Sequence, residues 1–147
     1  MVLKLYTGKY PAIEVAKYII RTVNQNGGSI SNLKLQKMLY FVQAQFLVQK
    51  GECCFADPIT AWDFGPVVIP VYREYSIFGS ASIPFNYLEE KIWISPEDAP
   101  LINSIIHASA DMSATYMTQC TLHQTPWKKT PNGCAIAPHD IYEFFKD

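Results

Sequence analysis

The sequence lacks any long hydrophobic run, although apolar residues make up 49% of its 147 residues. No apolar stretch approaches the roughly 18 residues that a membrane-spanning helix requires. The opening stretch, MVLKLYTGKYPAIEV, has no sustained apolar segment and no small-residue cleavage pattern, so it does not look like a secretory signal. These absences predict a cytoplasmic protein that does not associate with membranes.

Cysteine is scarce, and in a cytoplasm the four residues are most simply reduced thiols. Cys53 and Cys54 are adjacent, so a bridge between them would be strained. Two paired spacings, Cys120-x-x-His123 and Cys134-x4-His139, bring soft ligands near one another in the sequence. They match none of the usual zinc-binding frames, so we expect no metal and no other cofactor.

Positive and negative charges nearly balance, because 12 basic and 13 acidic residues give a formal net charge of −1. Nucleic-acid binding usually needs a clustered basic face, so the charge distribution argues against a nucleic-acid partner. The phosphate-binding patterns G-x-x-x-x-G-K and G-x-G-x-x-G are absent. A thiol hydrolase, with Cys120 activated by His123 or His107, is an alternative. The sequence shows no pattern typical of a nucleophile elbow or an oxyanion loop.

Hydrophobic periodicity predicts two successive helices, one over Pro11–Gly27 and one capped by Ser29 or Ser31 and ended by Gly51. The second is apolar on two sides, which is typical of a helix at the centre of a bundle. The pair also permits a helix-turn-helix regulator that would bind DNA. The second helix offers that function only three lysines and no arginine, namely Lys34, Lys37 and Lys50.

The middle of the chain predicts a short strand over residues 59–64, a turn at Gly65-Pro66 and a helix to Gly79. Pro70 must then lie in the first turn of this helix, or the helix must begin there. We expect Trp62 and Val67 in the core and a positive φ at Gly65. A second strand is predicted over residues 91–95.

Ser95 and Pro96 together predict a helix start, followed by a break near residues 111–113 and a further helix to about His123. Residues 125–134 are predicted as a loop or short turn. The last ten residues are predicted as a helix that docks Phe144 and Phe145 on the core. The expected fold is mainly α (α+β): one domain over residues 1–147, with five to six helices and a small two- or three-stranded antiparallel sheet.

Aromatic residues are abundant, at 14% of the chain. Tryptophan and tyrosine are favoured anchors of protein interfaces, so the surplus favours a binding module over an enzyme. The aromatic residues that exceed the needs of so small a core are Trp62, Phe64, Tyr72, Tyr75, Phe78, Trp93 and Trp127.

Three blocks of sequence resemble the Panacea domain, the SocA-like antitoxin family that is also described as phage-associated GepA-like proteins. They are SISNLKLQKMLYFVQAQFLVQKG, ITAWDFGPVVIPVYREYSIFG, and TLHQTPWKKT with IAPHDIYEFF, within about residues 10–146. The resemblance implies a bacterial or prophage antitoxin that neutralises a co-encoded toxin by protein–protein binding, without catalysis. One branch of the family delivers its toxin to an ATP-dependent protease, which is then a further partner.

The resemblance also divides the motif residues into two groups. Those expected to hold the fold are Leu35, Lys37, Tyr40, Trp62, Gly65 and Pro66. Those expected to meet the partner are Asp63, Phe64, Tyr72, His123, Gln124 and Trp127.

Overall fold

The structure is a computed structural model that describes residues 4–85 and 91–147. The regular elements of these residues are helices and short strands. In chain order they are β1 (Lys4–Tyr10), α1 (Ala12–Gln25), α2 (Asn32–Lys50), β2 (Glu52–Phe55), β3 (Thr60–Trp62), β4 (Gly65–Val67), α3 (Ile69–Tyr75), a 3₁₀ turn (Ser76–Phe78), α4 (Ala99–Ala108), α5 (Ala114–Leu122), α6 (Thr125–Lys128) and α7 (Pro138–Phe145). The mainly helical fold with small sheets is confirmed.

Helix α2 forms the centre of the fold. Twelve of its nineteen residues are buried, and it packs against α1, α3, α4, α5 and α7 as well as β2 and β4. Ser31 caps it, with its Oγ accepting from the Lys34 N–H at 3.3 Å. Gly51 ends it in the left-handed conformation that favours glycine. The buried residues of the elements around α2 join one hydrophobic cluster that extends from Tyr10 to Ile141.

The strands of the described residues form two separate pairs. β3 and β4 are antiparallel, with Trp62 paired to Gly65, whereas the sequence predicts a turn and no strand at Gly65-Pro66. The pairing of β1 with β2 is parallel and is not predicted from the sequence. The segment 133–136 runs beside β3, where the Ala61 N–H donates to the Cys134 carbonyl at 2.9 Å. This contact draws the loop before α7 against the hairpin.

Several predicted boundaries are wrong. Gly65-Pro66 is the start of β4 and not the turn, which lies at residues 63–64. The following helix begins at Ile69, so Pro70 lies in its first turn, where a missing N–H costs little. Residues 91–95 have no regular structure, because no partner strand pairs with them among the described residues.

The predicted helix start at Ser95-Pro96 is also displaced by about one turn, because residues 96–98 form a turn and α4 begins at Ala99. The predicted break is confirmed, with α5 beginning at Ala114. Phe145 packs partly against the core, whereas Phe144 is 42% exposed. The prediction that Phe144 docks on the core is therefore wrong.

Asp98 connects three elements instead of capping α4. Its buried carboxylate accepts hydrogen bonds from Tyr10 Oη and Lys50 Nζ, and it forms an ion pair with Lys9 at 2.8 Å. Burial alone would raise the pKa of this carboxyl, but the hydrogen bonds from Lys50, Lys9 and Tyr10 outweigh it and lower the pKa to about 2. The network ties β1 and the end of α2 to the start of α4.

None of the helices in the described residues combines the length and the hydrophobicity needed to cross a bilayer.

Candidate functional site

The β3–β4 hairpin and α3 bring three aromatic rings together. The ring of Trp62 lies 5.4 Å from that of Phe64 and 5.2 Å from that of Tyr72, both nearly edge to face, and Phe64 lies 5.9 Å from Tyr72. Such arrangements contribute favourable quadrupole contacts beyond the area that they bury. All three side chains are half-buried, so each ring also presents a solvent-accessible edge.

Trp127 joins this group from α6. Its Nε1–H donates to the carbonyl oxygen of Trp62 at 2.8 Å, and its ring is half-buried. The bond spans 65 residues of sequence and fixes α6 against the hairpin. We call Trp62, Phe64, Tyr72 and Trp127 the aromatic face.

The ammonium group of Lys37 lies beneath the aromatic face. Lys37 is fully buried, donates to the Pro66 carbonyl at 3.0 Å, and lies 5.2 Å from the centroid of the Phe64 ring. Burial lowers the pKa of this ammonium to about 7, because removal from water disfavours the charged form. The ring of Phe64 thus lies over a buried amino group whose charge depends on pH.

Gly65 allows this close approach. Its φ is +105°, which confirms the expected positive value. A Cβ at this position would lie 2.8 Å from Thr121 Oγ1 and 3.1 Å from Lys37 Cε. The strand therefore meets α2 and α5 at a distance that only glycine permits.

The buried polar side chains of α2 each hold a different segment in place. Gln36 Oε1 accepts from the Val68 N–H at 2.8 Å, which fixes the entry to α3. Asn32 Nδ2 donates to the Tyr72 carbonyl at 2.9 Å, which fixes the helix that carries an aromatic ring of the site. Their amides also bond to each other at 2.9 Å. Together they position Tyr72 and β4 relative to α2.

Two further polar side chains of α2 act in the same way farther along the helix. Tyr40 is fully buried and its hydroxyl donates to Gln124 Oε1 at 2.8 Å. Burial raises the pKa of this phenol well above its ordinary value, so it stays protonated as the donor. Gln43 bonds to β2, with its Oε1 accepting from the Cys54 N–H at 2.7 Å and its Nε2 donating to the Phe55 carbonyl at 2.8 Å.

The predicted partner residues do not share one environment. Asp63 is exposed at the tip of the hairpin, next to the aromatic face. His123 is also exposed, but its Nδ1 lies 2.7 Å from the Gln119 carbonyl of its own helix. Gln124 is half-buried and its amide oxygen is occupied by Tyr40. The structure thus groups Asp63 with Phe64, Tyr72 and Trp127, while Gln124 has a role inside the fold.

The residues expected to hold the fold are mostly buried. Leu35, Lys37 and Tyr40 are fully inaccessible, and Gly65 and Pro66 are buried in β4. Trp62 is half-buried and not in the core, which corrects the sequence prediction, whereas Val67 is fully buried.

Sequence reasoning missed the buried amides Asn32, Gln36 and Gln43 and the close contact of Thr121 with the hairpin. One signal was available. The amides recur at intervals of four and seven residues on a helix that is otherwise apolar on two sides. Because buried polar groups need hydrogen-bond partners, this spacing indicates that the amides bond to neighbouring segments.

The thiols and histidines were the candidates for metal binding and thiol chemistry in the sequence. No group of three His, Cys, Asp or Glu side chains is arranged to hold a metal there. Burial raises the pKa of Cys53 to about 11 and that of Cys54 well above its ordinary value, so both are neutral thiols. Cys134 is exposed and Cys120 half-buried.

A family model described as "Antitoxin SocA-like, Panacea domain" matches residues 35–128. The chain belongs to this family. The matched range contains the whole aromatic face and most of α2, while β1, α1 and α7 lie outside it. The block IAPHDIYEFF, which contributes to the resemblance seen in the sequence, therefore lies beyond the matched residues.

Among curated proteins, the chain is similar to Antitoxin SocA of Caulobacter vibrioides (strain NA1000 / CB15N). The two are 52% identical over 116 residues, which cover 71% of this chain and 61% of the relative. The chain thus spans about three fifths of the length of the curated relative that it matches. No solved structure matches it significantly.

Proposed function

We propose that the protein is an antitoxin that neutralises a co-encoded protein toxin by binding it through the aromatic face and Asp63. The observation that carries this proposal is the group of half-buried rings assembled by the segment that the family model matches. The relative named Antitoxin SocA supports the same role. The mechanism is binding without catalysis.

The physical basis is the type and setting of the side chains. Tryptophan and tyrosine bring large apolar area at low entropic cost and dominate the energetic centres of protein interfaces. Here the rings are already held by the Trp127–Trp62 hydrogen bond and by Lys37, so little ordering remains for association. A stable interface buries about 800 Å² on each partner, so the contact extends beyond these four residues.

Asp63 gives the surface a charged rim. It is exposed at the hairpin tip, between Trp62 and Phe64 in sequence. A rim charge mainly steers association and selects the partner. We therefore infer a basic or hydrogen-bond-donating surface on the toxin opposite the hairpin.

The experiment is co-expression with the product of the gene adjacent to the one encoding this chain. We expect that product to arrest growth by itself and the arrest to be relieved by the wild-type chain. Asp63→Lys and Tyr72→Ala should each reduce the rescue while the variants remain folded by circular dichroism. Phe144→Ala is the matched control, because Phe144 is exposed on α7 and outside the aromatic face. Absence of rescue by the wild-type chain would refute the antitoxin role, and full rescue by both site variants would refute this binding surface.

The mode of neutralisation is tested separately. Direct inhibition predicts that purified chain blocks purified toxin at a one-to-one ratio with no protease present. Delivery to an ATP-dependent protease predicts no block in that assay and loss of rescue in a strain that lacks the protease. Both modes use the same preassembled ring cluster, so the two assays together decide between them.

The helix-turn-helix alternative is disfavoured by the position of α2. A recognition helix leaves one face open to the DNA groove, whereas α2 is buried over most of its length. Lys37 is inaccessible, and Lys50 is bound to Asp98. The Cys/His hydrolase alternative is disfavoured because the Cys120 thiol interacts with the Tyr116 hydroxyl and makes no hydrogen bond to the ring of His107 or His123 within the described residues.

A further inference from the structure

A cleft of about 870 Å³ lies between the end of α1, the turn that follows it, the first turn of α2 and α4. Its volume falls in the range of small-molecule sites, roughly 300–1,000 Å³. It shares no lining residue with the aromatic face. The cleft is therefore a feature that toxin binding at the aromatic face does not use.

The lining of the cleft contains basic side chains but no acidic ones. Arg21, Lys34 and His107 line the cleft, and none of its sixteen lining residues is Asp or Glu. The chain as a whole has slightly more acidic than basic residues, so this is a local departure from the average. The composition of the cleft favours an anionic ligand.

Arg21 is held in place by α1 and α4 together. Its guanidinium carbon lies 5.4 Å from the centroid of the Tyr18 ring, and the Tyr18 hydroxyl donates to Asn103 Oδ1 at 2.7 Å. Within residues 4–85 and 91–147, Arg21 makes no ion pair. A guanidinium that is positioned but not neutralised can offer its planar fork to an oxyanion.

Lys34 supplies the second cation from the first turn of α2. It is half-buried, and its Nζ lies 3.5 Å from the carbonyl of Ala110, which is a weak contact. Asp111 is the nearby carboxylate that acts on Lys34, but it does not line the cleft. The dipoles of α1 and α4 place a partial negative charge of about half a unit at the last turn of each helix. The full positive charges of Arg21 and Lys34 outweigh these partial charges.

We propose that this cleft binds a phosphate-bearing small molecule of nucleotide size. Arg21 provides bidentate contacts and Lys34 a point charge to the phosphate. The amide side chains of Gln25 and Asn26 supply donors and acceptors for the polar edge of the ligand. The apolar part of the lining, which suits a flat ring, comprises Val23, Ile30, Met38 and Ile106. A concave site of this volume suits a small ligand of this kind better than it suits the flat surface of a protein partner.

Isothermal titration calorimetry with ATP, pyrophosphate and adenosine tests the proposal. We expect ATP and pyrophosphate to bind and adenosine to bind at least tenfold more weakly, because it lacks phosphate. Arg21→Gln and Lys34→Gln should each weaken ATP binding tenfold or more. Lys128→Gln is the control, because Lys128 is exposed on α6 and does not line the cleft. Thermal unfolding of each variant verifies that it remains folded.

Three results would overturn the proposal. They are no heat of binding for either phosphate compound at millimolar concentration, equal ATP affinity in wild type and both cleft variants, or equal affinity for adenosine and ATP. A 5′-phosphorylated single-stranded oligonucleotide separates the two sources of phosphate. Binding of that strand more tightly than ATP, with loss in Arg21→Gln, would assign the cleft to a nucleic-acid end and refute the small-molecule site. Rescue from the toxin is not part of this test, so the two proposals fail independently.

Discussion

The buried ammonium group of Lys37 donates a hydrogen bond of 3.0 Å to the carbonyl oxygen of Pro66. Within the described residues Lys37 makes no ion pair with a carboxylate. A buried charge without a counterion opposes folding, and a single hydrogen bond recovers only part of that loss. The site beneath the aromatic face is therefore sensitive to pH.

Lys37→Met should remove a pH dependence of stability. The pKa of Lys37 is about 7 in the folded chain and 10.5 when unperturbed, so between these values the unfolded state binds more protons. The free energy of unfolding therefore rises with pH across that interval, by at most about 1.4 kcal/mol for each pH unit. We expect urea unfolding between pH 7 and 8.5 to show this rise in wild type and a smaller one in Lys37→Met.

The difference between the two proteins isolates Lys37, because the other titrating groups are common to both. Lys128→Met is the control for loss of an exposed lysine and should keep the wild-type slope. Parallel pH profiles for wild type and Lys37→Met would show that Lys37 stays charged in the folded state, contrary to this prediction.

Gly65→Ala should destabilise the protein more than Gly133→Ala does. Both glycines have positive φ, at +105° and +85°, but no atom lies within 4 Å of an added Cβ at Gly133. We expect about 1 kcal/mol from backbone strain at either position. Gly65→Ala adds a clash with Thr121 and Lys37, at a further cost of roughly 1–3 kcal/mol.

Chemical unfolding of the two glycine variants measures this difference. Thr121 has little freedom to move away, because its hydroxyl donates to the Thr118 carbonyl at 2.7 Å. Equal losses of stability in Gly65→Ala and Gly133→Ala would mean that the hairpin shifts and that the close approach is not required.

Gln43→Leu should destabilise the chain by about 2–4 kcal/mol, because buried backbone groups of β2 lose their partners. Those groups are the N–H groups of Cys54 and Phe55 and the carbonyl of Phe55. Gln49→Leu, on the exposed side of the same helix, should change the stability by less than about 0.5 kcal/mol. Similar unfolding free energies for the two variants would contradict the role of Gln43.

The sequence predicted what periodicity and capping determine locally. Helix α2 was predicted with its cap at Ser29 or Ser31, of which the structure has Ser31, and with its end at Gly51, because the hydroxyl and the left-handed glycine act within one turn. The positive φ at Gly65 was predicted from the residue type alone. The central position of α2 followed from its two apolar sides.

Long-range pairing could not be predicted in the same way. Residues 91–95 carry the residue types of a strand, but strand formation depends on a partner edge, and none pairs with them in the described residues. β1 and β2 pair across two intervening helices. The Trp127–Trp62 bond spans 65 residues, so its existence depends on the whole fold.

Trp127→Phe should weaken both the fold and the proposed interface. The change keeps an aromatic ring but removes the N–H that donates to the Trp62 carbonyl, at a cost of about 1 kcal/mol. Because that bond anchors α6 beside Trp62, Phe64 and Tyr72, we expect at least a tenfold lower affinity for the product of the adjacent gene. Calorimetry measures the affinity, and urea unfolding measures the stability.

Trp93→Phe is the matched control for Trp127→Phe. Trp93 is 65% exposed and does not belong to the aromatic face, although its ring lies 6.1 Å from that of Tyr10. We expect this variant to bind with wild-type affinity. If both tryptophan variants bind equally well, the bond between Trp127 and Trp62 contributes only to folding. The affinity for the partner would then not depend on how α6 is anchored to the hairpin.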